Sequence, residues 1–166
     1  MSSGKYKIQK TLHTEKRRQI CEKITRDLPA WFGREDANQQ YFEDARKHTA
    51  IAAFDQDNAI GLLVYKEEFE SDLYSTVLNI HWLGVLRSYH RQGVGKILLK
   101  KLIEIGSNRN VDTVTVETLD PEVKNDHYLK TYNFYKACGF KIFNQFEEKG
   151  TKMVRMVKGN SSAQQP

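Results

Sequence analysis

One segment in the middle of the chain runs Leu83-Gly84-Val85-Leu86-Arg87-Ser88-Tyr89-His90-Arg91-Gln92-Gly93-Val94-Gly95-Lys96. It joins the end of an apolar strand to a polar turn, and then to a Gly-x-Gly pair that opens a helix with one apolar face. Glycines at such a position let a ligand come close to the backbone N–H groups that a helix start leaves unpaired. The segment therefore predicts an anion site, and a phosphate or pyrophosphate is the anion that fits it best.

Two known phosphate-binding patterns do not fit the spacing of this segment. A dinucleotide-binding fingerprint needs a third glycine where this chain has Leu98, and the turn after the strand is too long. A P-loop needs Gly-Lys-Ser/Thr, but Gly95-Lys96 is followed by Ile97 and lacks the earlier glycine. The segment therefore predicts a phosphate cradle of another kind.

The positive charge of the chain falls in two zones. The formal net charge is +5. Residues 1–26 hold eight basic and two acidic residues, whereas residues 87–101 hold five basic residues and no acid. We interpret the first zone as the solvated face of a helix and the second as the surroundings of the predicted phosphate. A nucleic-acid partner is not expected, because the aromatic residues fall in strands and motifs rather than between basic residues.

Length and composition exclude several classes of protein. A chain of 166 residues with 39% hydrophobic residues suits one globular domain. It has no apolar run long enough for a membrane span and no recognisable signal peptide, so we expect a cytoplasmic protein without a membrane partner. Its two cysteines and five histidines lack the spacing of a zinc site or a disulfide framework, so no metal is expected.

Hydrophobic periodicity predicts the order β α α β β β α β α β β. The predicted helices cover residues 14–28, 36–47, 93–107 and 127–138, with Thr14 as the cap of the first and Pro29 ending it. The predicted strands cover residues 6–11, 49–54, 59–65, 74–86, 111–118, 140–146 and 152–158. This pattern gives an α/β fold, in which about four helices flank a mixed central sheet of about six to seven strands. One domain would span residues 1–158, and residues 159–166 would form a disordered tail.

Two motifs in this order resemble the GNAT superfamily of acyl-CoA-dependent N-acyltransferases. The segment from His90 to Gly95 is similar to the family signature Gln/Arg-x-x-Gly-x-Gly/Ala, with His90 where Gln or Arg is usual. Downstream, Phe134-Tyr135-x-x-x-Gly139-Phe140 is similar to the C-terminal Phe-Tyr-x-x-x-Gly-Phe of the family. Residues 28–33 also look like the start of a poorly characterised bacterial subgroup. The resemblance covers residues 5–158.

The resemblance implies a site for acetyl-CoA. The acetyl and pantetheine groups would bind free backbone groups of Leu83, Gly84 and Val85. The pyrophosphate would bind the backbone N–H groups of a second set of residues, which are Arg91, Gln92, Gly93, Val94, Gly95 and Lys96. Tyr135 matches the tyrosine that donates a proton, or a hydrogen bond, to the departing CoA sulfur. Its other interpretation is a core aromatic residue beside Phe134.

The reaction also needs a base, because an amine with a pKa near ~10 is protonated at neutral pH. Glu117 ends a predicted strand and aligns with a glutamate that often has this role in the family. His81 lies on the same predicted strand as the acetyl-binding residues, two positions before Leu83, and is the other candidate. Both remain open, as does a structural role for either. We interpret Cys138 as a small buried thiol rather than as an acyl-carrying nucleophile.

The function that follows is transfer of the acetyl group of acetyl-CoA to a primary amine of a small molecule or peptide. The amine would attack directly in a ternary complex. The alternative is a CoA-binding sensor or regulatory module without turnover. Trp31 and Phe32 would line the acceptor pocket or plug the core, and the acidic turn over residues 67–72 would be solvated or attract a cationic amine. A homodimer is possible on the family pattern.

Overall fold

The structure is a computed structural model that describes residues 4–10 and 12–159. In chain order its elements are β1 (Lys7–Gln9), α1 (Thr14–Asp27), α2 (Glu35–Lys47), β2 (Thr49–Asp55), β3 (Asn58–Glu70), β4 (Ser75–Val85), α3 (Val94–Asn108), β5 (Thr113–Leu119), α4 (Asp126–Ala137), β6 (Lys141–Glu148) and β7 (Thr151–Gly159). The predicted order and the α/β class are confirmed. A 3₁₀ turn at Arg87–Tyr89 was not predicted.

The strands form one mixed seven-stranded sheet in the order β1-β2-β3-β4-β5-β7-β6. The pairs β1–β2, β2–β3, β5–β7 and β6–β7 are antiparallel. By contrast, β4 and β5 are parallel and pair through Leu78–Ile80 and Val114–Val116. A parallel pair needs a crossover connection, and α3 supplies it.

The chain divides into two compact units, of which the first comprises residues 1–66 and 81–104. Its core is built on the apolar face predicted for α1, because Ile20, Ile24 and Leu28 are all buried. They belong to one cluster with residues of α2 and of the strands, among them Phe42, Ala45, Leu62, Val64 and Trp82. The predicted face of α1 is thus the one that packs.

The second unit comprises residues 67–80 and 105–166. Alternate residues of β5 and β7, including Val114, Val116 and Met156, form its buried side. The Asn125 side chain caps α4 by accepting hydrogen bonds from the N–H groups of His127 and Tyr128, each at 3.1 Å. Since a helix start needs such acceptors, α4 begins at Asp126, one residue before the predicted start.

Several predicted boundaries shift for local reasons. The N-cap of α1 is His13 rather than Thr14, and its side chain makes no capping hydrogen bond. Strand β3 continues to Glu70, so most of the predicted acidic turn lies in a strand arm where Glu67 accepts a hydrogen bond from Arg109 at 2.8 Å. Gly159 pairs with Thr113 and belongs to β7 rather than to the tail. Thr11 and residues 160–166, the rest of the predicted tail, lie outside the described residues.

Candidate functional site

The predicted phosphate cradle is a loop of left-handed backbone that leads into α3. Arg91 has a φ of 65° and Gly93 a φ of 81°. Glycine adopts this conformation without steric cost, whereas a residue with a Cβ is strained there. A Cβ on Gly93 would meet no atom within 4 Å, so the space in front of the first turn of α3 is open. The first N–H groups of α3 have no carbonyl of their own helix to bind, and they border this open space.

Backbone hydrogen bonds hold the start of the loop in place. The Leu86 N–H donates to the Ile60 carbonyl at 2.8 Å, which fixes the loop to β3. The Arg87 N–H donates to an Asp27 carboxylate oxygen at 2.7 Å, at the end of α1. A carboxylate that accepts from a backbone N–H forms a strong, charge-assisted hydrogen bond. The loop is therefore anchored on two sides before the glycines are reached.

His90, the residue that departs from the family signature, has a structural role in the loop. Its Nε2 lies 2.7 Å from the Val85 carbonyl oxygen. A carbonyl can only accept, so Nε2 carries the hydrogen. The edge of the His90 ring also packs against Trp31, with the ring centroids 5.7 Å apart. His90 therefore ties the loop back to the last residue of β4.

Hydrogen bonds of two tyrosine hydroxyls complete the support of the cradle. The buried Tyr6 donates its hydroxyl hydrogen to Gln92 Oε1 at 3.0 Å. In turn, Gln92 Nε2 donates to the Ser88 carbonyl at 3.1 Å. Tyr89 donates to an Asp55 carboxylate oxygen at 2.7 Å. Sequence reasoning missed these supports, because no local spacing links residues as far apart in the chain as Tyr6 and Gln92.

The charge beside the cradle is positive and largely uncompensated. Arg91 and Lys96 are exposed and form no ion pair with any residue in the described part of the chain. Lys101, further along α3, is paired with Glu104 at 2.7 Å. Free cations beside open helix N–H groups suit a bound anion. The surroundings of the predicted phosphate site therefore include two basic side chains that are unpaired among the described residues.

The strand residues predicted to hold the acetyl and pantetheine groups lie just before the loop. Gly84 is buried, and a Cβ there would collide with the Trp82 ring and come within 2.9 Å of Ile24. The neighbouring Leu83 and Val85 are half-buried. Gly84 is therefore required by the packing of α1 on β4, whatever else it does.

Of the two candidate bases, His81 lies in the first unit with the cradle. Its ring centroid is 4.6 Å from that of His48. The Nε2 atom of His81 is buried and has no hydrogen-bond partner among the described residues. Burial, and then the charge of His81, lower the pKa of His48 below its ordinary value. Nothing in the sequence pattern pointed to His48.

Tyr135 lies in the second unit, on α4. Its side chain is 3% exposed and packs edge-on against Phe134 and Phe140, with centroid distances of 5.2 Å in both cases. Burial, and to a lesser extent the charge of Cys138, raise the pKa of Tyr135 well above its usual range. The hydroxyl is therefore protonated at neutral pH and can act only as a donor of its proton, not as a base.

Glu117 lies in the second unit as well, on β5, and is held in an ion pair. It faces Arg155 of β7 across the sheet, and Arg155 Nε donates to Glu117 Oε2 at 2.8 Å. The Arg155 guanidinium also lies 4.3 Å from the centroid of the Phe146 ring. To take a proton from an amine, the Glu117 carboxylate must leave or share this ion pair.

The aromatic loop after α1 lies partly in the core. Phe32 stacks on Trp82 with a centroid distance of 5.5 Å and contacts Tyr41 at 5.7 Å. Both Trp31 and Phe32 are half-buried and pack against the core cluster. Phe32 therefore packs in the core, which is one of the two roles that the sequence left open. Part of the Trp31 ring and part of the Phe32 ring remain exposed.

Two features are absent from the described ranges. No three His, Cys, Asp or Glu residues within residues 4–10 and 12–159 are arranged to hold a metal ion. None of the helices in the same ranges is both long and apolar enough to cross a membrane.

The chain matches a family model and a known enzyme. The model of the acetyltransferase (GNAT) family matches residues 17–140. N-alpha-acetyltransferase 30 of Schizosaccharomyces pombe (strain 972 / ATCC 24843) is 24% identical over 140 residues, which are 83% of this chain and 88% of that protein.

Solved structures with the same fold include two that cover nearly the whole chain. A Desulfovibrio desulfuricans protein assigned to the GNAT family has a TM-score of 0.75 at 14% identity, covering 93% of this chain and 98% of that one. An aminoglycoside 6'-N-acetyltransferase complexed with coenzyme A has a TM-score of 0.65 at 16% identity, covering 92% of this chain and 96% of that one. At these identities the likeness shows the fold.

Proposed function

Because the chain belongs to the acetyltransferase (GNAT) family, we propose that it transfers the acetyl group of acetyl-CoA to a primary amine of a small molecule or peptide. The observation that carries the proposal is the cradle at the start of α3, with its open space at Gly93. A structural neighbour that binds coenzyme A has the same fold, which supports it.

The pyrophosphate of acetyl-CoA would bind the backbone N–H groups of residues 91–96. The residues present fit this group, because the positive φ of Gly93 leaves the approach clear of any side chain. The exposed Arg91 and Lys96 would add charge-assisted contacts. The acetyl and pantetheine groups would lie along residues 83–85. Each of these assignments is a prediction of the proposal.

The transfer moves one proton off the amine before the attack, a second off the same nitrogen after it, and one onto the CoA sulfur. The amine loses a proton to a base, and its lone pair then attacks the thioester carbonyl carbon. When the tetrahedral intermediate collapses, the C–S bond breaks, and the CoA sulfur takes a proton as it leaves. Tyr135 is the candidate donor of that proton, and burial keeps its hydroxyl protonated. His81 and Glu117 are the candidate bases, and of the two only Glu117 is held in an ion pair.

Two relatives suggest which amines to test. The Schizosaccharomyces pombe relative is an N-alpha-acetyltransferase, and one structural neighbour is an aminoglycoside 6'-N-acetyltransferase. We therefore propose a panel of peptides with free amino termini, aminoglycosides and simple primary amines. Release of CoA thiol, followed colorimetrically, measures transfer to each. Acetyl-CoA binding without thiol release from any amine would instead support the alternative of a CoA-binding sensor.

Isothermal titration with acetyl-CoA tests the cradle. We expect Gly93→Glu to abolish binding, because its carboxylate enters the open space and repels the pyrophosphate. Gly150→Glu is the matched control, since Gly150 also has a φ of 81° and open space around it, but lies in the β6–β7 turn. If Gly93→Glu binds acetyl-CoA as well as Gly150→Glu does, the cradle assignment is wrong.

A further inference from the structure

Two histidines from different elements form a ring pair in the first unit. His48 ends α2 and directly precedes β2, whereas His81 belongs to β4. Their ring centroids are 4.6 Å apart and their planes are tilted by 39°. The two rings are in packing contact and form no hydrogen bond with each other, so the pair can hold the His81 ring in place without occupying its nitrogen atoms.

The Nε2 atom of His81 is the unusual feature of this pair. It is buried and has no hydrogen-bond partner in the described part of the chain. Buried polar atoms in folded proteins almost always have a partner, so an unpaired one marks a place where another group is needed. The N–H group of an attacking amine is a hydrogen-bond partner of this kind.

The surroundings of the pair disfavour a second positive charge. The charges that act on His48 come from Asp44 and Lys47 of α2, from Lys66 of β3 and from His81 itself. A cavity of about 160 Å³ beside His48 is also lined by Lys10 and Arg17. Asp44 is the one carboxylate in this set, against four basic side chains. Protonation of both rings at once is therefore unfavourable.

From this geometry we propose that His48 is a positioning residue for His81, which accepts the proton of the amine in the reaction proposed above. His48 holds the His81 ring by packing and discourages a second proton on the pair, so that His81 Nε2 stays free to accept. The inference rests on the proposed function, and it assigns the base to His81 rather than to the ion-paired Glu117.

The proton is accounted for at each step. The amine nitrogen gives its proton to the Nε2 lone pair of neutral His81, while the hydrogen on Nδ1 stays in place. The new N–C bond forms, the C–S bond breaks, and the sulfur leaves with the bonding electrons and takes one proton. The nitrogen loses its second proton as it becomes an amide, and this proton balances the one that the sulfur takes. His81 then returns its proton to water. His48 neither gives nor takes a proton in this sequence.

Proton NMR of the histidine Cε1–H signals in the full, ligand-free chain tests the pair directly. In wild type the His48 ring is expected to shift the His81 signal, because the two ring centroids lie 4.6 Å apart. In His48→Ala this ring-current shift is expected to be lost. His13→Ala is the matched control, since His13 is an exposed histidine at the N-cap of α1 and lies outside the pair.

Steady-state kinetics with an amine that the enzyme acetylates give the second measurement. His48→Ala is expected to lower kcat/KM by about 10- to 100-fold, since misplacing a reacting group by about 1 Å can cost that much. His48→Phe keeps a ring against His81, so it is expected to recover most of this loss above neutral pH and to shift the acidic limb of the pH profile. His81→Gln is expected to lose about 10²- to 10⁴-fold.

The outcomes separate this inference from the proposed function. An unchanged His81 signal in His48→Ala overturns the pairing, whatever the enzyme acetylates. An unchanged kcat/KM in His81→Gln, with a loss in Glu117→Gln, overturns the assignment of the base. A His81 signal that depends on His48, in a chain that acetylates none of the amines tested, would instead count against the proposed function.

Discussion

The Tyr135 hydroxyl lies at the end of a side chain that is almost wholly buried and that packs against the rings of Phe134 and Phe140. Such an environment penalises the phenolate and so keeps the proton on oxygen through the physiological range. A core tyrosine and a proton donor need the same enclosure, so burial alone does not distinguish the two roles. The distinction has to come from kinetics.

Tyr135→Phe removes only the hydroxyl and keeps the ring that packs in the core. If Tyr135 donates the proton to the departing sulfur, kcat falls by about 10²-fold while the Kd for acetyl-CoA stays within about twofold, because proton donation acts in the transition state. Thiol-release assays measure kcat, and isothermal titration measures the Kd for acetyl-CoA. Tyr132→Phe on the same helix is the control. Equal losses in kcat and affinity would make Tyr135 a structural residue.

His90 shows how a single residue can depart from a family pattern and keep the geometry. Its Nε2–H bonds the Val85 carbonyl, which ties the turn to the end of β4. A Gln or Arg at this position could also donate to a nearby carbonyl. The substitution is therefore compatible with an intact cradle.

At the scale of elements, the loop between β4 and α3 is positioned by groups from elements elsewhere in the first unit. Asp27 at the end of α1, Tyr6 before β1 and Asp55 at the end of β2 each bond the loop or its 3₁₀ turn. A loop with left-handed residues at Arg91 and Gly93 needs such support, since strained backbone persists only where its surroundings hold it.

Tyr6→Phe removes the hydrogen bond to Gln92 and leaves the buried ring in place. We expect the Kd for acetyl-CoA to rise about fivefold, since a hydrogen bond of this kind is worth about 1 kcal/mol. Isothermal titration measures the change. Tyr74→Phe is the matched control, because Tyr74 is 88% exposed. An unchanged Kd in Tyr6→Phe would mean that Gln92 does not need this support.

The basic face of α1 differs from its interpretation as a merely solvated surface. Arg17 donates to three backbone carbonyls: Ala45 at 2.8 Å, Leu12 at 2.7 Å and Arg46 at 2.6 Å. Two of these carbonyls lie in the last turn of α2, which a cation stabilises. Burial lowers the pKa of Arg17. Part of the first basic zone therefore joins α1 to α2.

At the scale of the whole molecule, the net charge of +5 comes from basic residues that have different roles in the two zones. In the first zone, Arg17 and Arg18 are engaged with carbonyls and carboxylates. In the second zone, Arg91 and Lys96 are exposed and unpaired among the described residues. Of these four side chains, Arg91 and Lys96 are the two available to an anion, so position matters more than the sum of the charge.

Salt dependence tests this division of charge. Raising NaCl from about 0.05 to 0.5 M is expected to weaken acetyl-CoA binding about fivefold, because exposed ion pairs are screened and each is worth up to about 1 kcal/mol. The double variant Arg91→Gln/Lys96→Gln should lose most of this dependence. Lys7→Gln/Lys16→Gln makes the same change in net charge in the first zone and should keep it. Equal behaviour of the two variants would show that only net charge matters.

The sequence by itself determined the order of elements and the fold class, and it predicted where a phosphate cradle would lie. These features depend on local patterns: apolar periodicity in α1, β5 and α3, and glycines at the start of α3. The resemblance to the family made Tyr135 and Glu117 candidates, and strand position added His81. Boundaries moved by a few residues where a cap such as Asn125, or a long strand arm such as β3, depends on partners that the local sequence does not show.

Only the tertiary structure decided how those candidates are held. It pairs Glu117 with Arg155, packs His81 against His48 and joins Gln92 to Tyr6 by a hydrogen bond. In each case the partner comes from a distant part of the chain and is brought near by strand pairing or helix packing. Protonation, charge and orientation depend on these neighbours at distances of a few ångströms, and no pattern along one stretch of sequence contains that information.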